Sequence, residues 1–97
     1  MTEFEPFHTT IDKTIQTMSG SVVLENPKRF PRDESNLYCL GHDGQVVWKA
    51  EKPERSGLFN RVMLNPDGNT LSAYTVTGQA CEIDLINGTL ISHVKLV

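Results

Sequence analysis

The sequence predicts an all-β, antiparallel fold of about eight short strands, set in two four-stranded sheets that pack as a sandwich or side by side. Two observations carry this. Apolar and polar residues alternate at period two through most apolar segments, the spacing of a strand with one covered face. Gly or Asn/Asp turns recur between those segments, which suits neighbouring strands joined by hairpins. Ninety-seven residues make a single domain, 1–97, with one modest core.

Helical spacing occurs once, at Thr9 to Met18, where Ile11, Ile15 and Met18 fall at i, i+4 and i+7 ahead of Gly20. Thr9, Thr10, Thr14 and Thr17 favour an extended chain there. Read as a strand, the stretch places Ile11, Lys13, Ile15 and Thr17 on one face, and this is the assignment we adopt. It turns at Ser19-Gly20 into Ser21 to Glu25. After the loop Asn26 to Ser35, Asn36 to Leu40 reads as a strand, Gly41-His42-Asp43-Gly44 as a turn and Gln45 to Ala50 as the return. A polar linker, Glu51 to Gly57, follows. Phe59 to Leu64 then pairs across Asn65 to Asn69 with Thr70 to Val76. Thr77-Gly78 turns into Gln79 to Leu85, and Ile86-Asn87-Gly88 into Thr89 to Lys95.

The chain repeats internally. Leu37-Tyr38-Cys39-Leu40 superposes on Ala80-Cys81-Glu82-Ile83, and Gly44 to Trp48 on Gly88 to Ser92, with one extra residue in the second turn. The repeats span about 9–50 and 58–97. These two hairpins resemble the closing part of quinoprotein-type (PQQ-like) β-propeller blades, whose pattern is apolar-aromatic-small-apolar-Asp, a short turn ending in Gly, two or three apolar residues, then Trp; the resemblance implies blade-like sheets arranged as a half-propeller. Gly41 stands where Asp is usual in the first copy, and Ser92 replaces Trp in the second. A closed propeller needs at least ~4 blades, and here there is material for two. The cofactor is not carried over, because the acidic and amide ligand set and the adjacent cysteine pair of such propellers have no counterpart. The whole chain is also similar to small stand-alone bacterial proteins, through Val22-Val23-Leu24, Asn36 to Trp48, and Tyr74-Thr75 through Gly88. Some of these resemble immunity proteins of contact-dependent or polymorphic toxin systems.

Twelve acidic side chains against nine basic ones leave a net charge of −3. The one basic cluster, Lys28-Arg29-Phe30-Pro31-Arg32, runs directly into Asp33-Glu34. Nucleic acid demands a dense positive face, so it is not an expected partner. A mildly acidic protein suits a basic one. No apolar run approaches the ~18–20 residues of a membrane-spanning helix. Met1 to Pro6 carries Glu3 and Glu5 with no basic cluster before an apolar stretch, so no export signal is expected. Cys39 and Cys81 are then two reduced, half-buried thiols of a cytoplasmic protein.

Chemistry is sparse. His8, His42 and His93 are scattered, with no Cys-x-x-Cys or His-x-x-x-His spacing, so no metal site is expected. Asp67-Gly68-Asn69 reads as a turn; it lacks the oxygen ligands of a calcium loop. There is no Gly-x-Ser-x-Gly elbow and no basic neighbour to activate either cysteine. Glu82 and Asp84 share one strand face and read as solvated. We expect no catalytic residues and no cofactor.

Trp48 is expected to pack between the sheets, and Tyr38 and Tyr74 to show their hydroxyls at a surface. Phe30, in a Pro-flanked loop, either plugs the core or anchors a partner. The expected function is that of a non-enzymatic protein-binding module of the immunity type, occluding a basic toxin domain such as a nuclease. Phe30, Asp33, Glu34, Glu51, Glu54 and Tyr74 are the candidate contact residues. The alternative is a half-propeller that homo-oligomerises into a ring and binds a ligand at blade junctions.

Overall fold

Glycines at the predicted turns set the strand order. Gly20, Gly44, Gly68, Gly78 and Gly88 all take positive φ, the conformation that lets a chain reverse tightly. The computed structural model describes residues 5–96; the outer ends of the domain assignment, residues 1–4 and 97, lie outside the described residues. Strands β1 (Ile11–Thr17), β2 (Gly20–Glu25), β3 (Leu37–Leu40) and β4 (Val46–Lys49) form one antiparallel sheet in chain order. Strands β5 (Phe59–Leu64), β6 (Thr70–Thr75), β7 (Gln79–Asp84) and β8 (Leu90–Lys95) form the second. No helix occurs among the described residues. Residues 11–17 are strand: Thr14 and Ile15 pair with Val23 and Val22, and their β-branched side chains suit the pleat.

A register shift between Ile11 and Lys13 sets Ile11 opposite Glu25 and Lys13 opposite Leu24. Ile11 therefore leaves the face it was expected to share with Lys13 and Ile15.

The register gives a second finding. The first hairpin of each sheet shifts at the same place, between Ile11 and Lys13 in one and between Phe59 and Arg61 in the other. The closing hairpins also match, with shifts at Cys39/Leu40 and Glu82/Ile83. Leu24 thus corresponds to Tyr74, Cys39 to Glu82, and Trp48 to Ser92. Leu24, Cys39 and Trp48 lie in the shared core, whereas Tyr74, Glu82 and Ser92 lie on the face turned away from it. The core side of the second sheet is built instead from Phe59, Ala73, Cys81 and Ile83. Equivalent faces consequently point the same way, and the sheets stack front to back.

Residues from both sheets form one apolar cluster, and burying each large side chain in it contributes about 1.5–3 kcal/mol. Polar ties fix the relative placement of the sheets. Trp48 Nε1 donates to the Leu85 carbonyl at 2.8 Å, and Lys13 Nζ to the Val62 carbonyl at 2.8 Å. Asn36, fully buried, donates through Nδ2 to the carbonyls of Glu25 (2.7 Å) and Phe59 (2.6 Å) and accepts from the Phe59 N–H (2.8 Å). Both cysteines are free and fully buried rather than half-buried.

Candidate partner-binding surface

The two sheets present very different outer flanks. On the first, Val23, Tyr38 and Leu40 form a second buried cluster. Part of its cover is the segment 5–10, which crosses this flank and is held there by Glu25. The Glu25 carboxylate, wholly buried, accepts from the backbone N–H groups of Phe7 (2.8 Å), His8 (3.0 Å) and Thr9 (3.0 Å), and from the Tyr38 hydroxyl. Burial pushes this carboxyl up, but the donors from Thr9, Tyr38, Phe7 and His8 outweigh it and hold the group below its ordinary value. The Phe7 ring packs on Tyr38 with centroids 5.1 Å apart. Tyr38 therefore does not show its hydroxyl at a surface, because strand alternation turned it towards Glu25 and the covered flank.

The outer flank of the second sheet carries only side chains that keep contact with solvent. Tyr74 stands at its β6 position, paired in register with Arg61 on one side and Ala80 on the other. Val94 follows opposite Ala80, and the next row runs Met63, Ser72, Glu82 and Ser92. Met63 and Val94 are exposed. Tyr74 is half-buried where this flank meets β1, in a shallow groove of about 190 Å³ shared with Asp12, Lys13, Arg61 and Met63. Of its two register partners, Ala80 is small and Arg61 long, and the ring keeps part of its surface in solvent.

None of the remaining candidate contacts lines the Tyr74 groove. Phe30 is 5% exposed and meets the His8 ring edge-on at 5.0 Å, buried under its loop but in neither of the two apolar clusters. Asp33 is exposed beside Lys52. Glu34 is half-buried and paired with His8 (3.1 Å) and Lys49 (3.8 Å). Glu51 accepts from the Leu90 N–H at 2.9 Å and ties the linker to the second sheet. Glu54 accepts from Gln79 Nε2 at 3.0 Å, and hydrogen bonds from Thr77 and Gln79 hold its carboxyl below the usual range. Asp33 and Glu54 both lie around the Lys52, Arg32 and Arg55 cluster, while Glu34, Glu51 and Glu54 are engaged in holding loops. The flank around Tyr74 could have been found from strand periodicity, since Tyr74 with Ser72, and Glu82 with Ala80 and Asp84, fall at i, i+2 spacing. No grouping of three or more His, Cys, Asp or Glu able to hold a metal ion occurs among the described residues.

Fold and surface together define a two-sheet antiparallel β domain with one covered and one solvated flank. The chain belongs to the family described as a domain of unknown function (DUF7957), whose model matches residues 3–94. No curated protein and no solved structure matches it.

Proposed function

We propose that the chain is a non-enzymatic, cytoplasmic protein-binding module of the immunity type. The outer flank of its second sheet lies against a basic toxin domain, a nuclease, and blocks that domain's cleft. One observation supports this reading above the rest. Front-to-back stacking leaves the second sheet with a face equivalent to the one that builds the core in the first, and at two of its positions polar residues have replaced apolar ones, while Met63 and Val94 stay apolar and exposed. Glu82 stands for Cys39 and Ser92 for Trp48, so the face stays in water instead of accepting a third sheet. Tyr74 remains as an aromatic anchor, and Glu82 and Asp84 give the β7 side of the face a negative sign that steers a cationic partner, with Arg61 on the β5 side. The ring-forming alternative needs the other flank open, and the segment 5–10 lies across it.

Co-expression with a basic nuclease toxin domain, taken from a gene adjoining that of this chain where one is found, tests the reading. The parent chain is expected to relieve growth arrest. Tyr74→Ala combined with Glu82→Lys is expected to lose that protection while still unfolding in one cooperative transition above the assay temperature. Full protection by the folded double variant would remove this flank from the account, and failure of the parent to protect would remove the immunity reading.

A further inference from the structure

At one end of the molecule, the loop after β2 and the turn after β6 enclose an open groove of about 600 Å³. It shares no residue with the Tyr74 flank. Its floor is apolar: Phe30 and Leu58 are almost fully buried beneath it, and Val76 is 50% exposed. Its rim carries Lys28, Arg29 and Arg32, all exposed. Among the described residues, the ion pairs join Glu34 to His8 and Lys49, and none takes up these three cations.

The rim is fixed locally. Asn26 Oδ1 accepts from the Lys28 N–H at 2.8 Å, and the Phe30 N–H closes a turn on the Pro27 carbonyl at 3.1 Å. Arg29 takes a φ of 69°, the one non-glycine residue with positive φ among those described. Such a conformation costs about 1–2 kcal/mol in an L-residue and persists only where its surroundings impose it. Lys52 Nζ donates to the carbonyls of Arg32 and Arg55 (2.6 Å for the latter), bracing the loop from beneath.

We propose that this groove binds an acidic peptide segment of a protein partner, one that sets an apolar side chain on the Val76 floor between carboxylates paired with Lys28, Arg29 and Arg32. Charge complementarity selects the sign, and the apolar floor selects a peptide over a polyphosphate. Nucleic acid binds through many phosphate contacts and exposed stacking rings; here Asp33 and Glu34 follow the cations directly, and the one ring, that of Phe30, is buried. The proposal is independent of the Tyr74 reading.

Fluorescence anisotropy on the full chain tests it with three labelled probes: the peptide Asp-Glu-Leu-Phe-Glu-Asp, the same peptide with Asn and Gln replacing its acids, and an oligothymidylate. The acidic peptide is expected to bind saturably, and to bind less tightly as salt rises to about 0.5 M. Lys28→Glu with Arg32→Glu is expected to weaken it by about tenfold or more, and Val76→Ser to weaken it several-fold. Unchanged melting temperatures confirm folded variants; should the charge reversal unfold the chain, Lys28→Gln with Arg32→Gln carries the comparison. Equal binding of the neutral peptide, unchanged affinity in the folded variants, no saturable binding of the acidic peptide, or tighter binding of the oligothymidylate would each overturn the proposal.

Discussion

Trp48 Cε3 stands 2.6 Å from the position a Cβ on Gly88 would occupy. The indole that ends the first repeat thus fills the space over the last turn of the second, and its Nε1 donates to the Leu85 carbonyl at 2.8 Å in the same turn. The Gly88 carbonyl accepts from the Glu51 N–H at 2.9 Å, so backbone and side chain lock the two sheets together at this point.

Gly88→Ala is therefore expected to destabilise far more than Gly44→Ala, although both glycines have positive φ (76° and 83°). Nothing lies within 4 Å of a Cβ on Gly44, so only backbone strain of about 1–2 kcal/mol applies there. At residue 88 overpacking against the indole adds about 1–3 kcal/mol. Urea unfolding of the two variants measures the difference; equal losses would mean that the Trp48 contact contributes nothing.

Asn36 acts as a substitute strand between the sheets, pairing with both the N–H and the carbonyl of Phe59. Asn36→Ala leaves those groups buried without partners, at about 1–3 kcal/mol each. We expect a loss of about 3 kcal/mol in chemical denaturation. Asn36→Asp should be worse, since it removes the donor and buries a charge facing two carbonyls. A loss under about 1 kcal/mol in the alanine variant would show that the sheets hold without this bridge.

Acid should release the segment 5–10. Glu25 titrates below its ordinary 4.5 in the folded chain. A depressed folded value means that its contribution is complete above 4.5 and is lost as pH falls through the folded value. Stability measured against pH should fall across that window in the parent. In Glu25→Gln that part of the slope should vanish, and in Tyr38→Phe, which removes one of the donors, it should be shallower. Parallel curves for parent and Glu25→Gln would refute the clasp.

Cys39 and Cys81 are both buried, and burial raises both thiols above their ordinary range. Alkylation by iodoacetamide then requires opening of the core. For a domain of about 5 kcal/mol stability this slows the reaction by roughly 4,000–5,000-fold relative to the unfolded chain. Comparable rates with and without urea would place at least one thiol at a surface.

Much of this molecule was legible one residue at a time. Period-two alternation and the glycine turns located all eight strands, including β1, where threonines outweighed a helical spacing. The repeat was legible too, and its alignment of Leu40 with Ile83 and of Trp48 with Ser92 coincides with the pairing register. The candidate contacts were less so. Glu34, Glu51 and Glu54 looked like free surface acids but are held by His8, Leu90 and Gln79, partners that lie 26, 39 and 25 positions away in the chain. No local pattern announces such pairings.

The amino-acid order alone determined where the chain extends, where it reverses and how its halves correspond, because those depend on dihedral preferences and on neighbours a few positions apart. Packing of one sheet on the other decided which face of each is dry. Alternation says that a strand has two sides, but the same register position is core at Cys39 and flank at Glu82, since stacking front to back gives equivalent faces opposite surroundings. The burial of Tyr38 and Phe30, the Glu25 clasp and the cationic groove likewise arise from contacts across the fold, where water is excluded by residues distant in sequence.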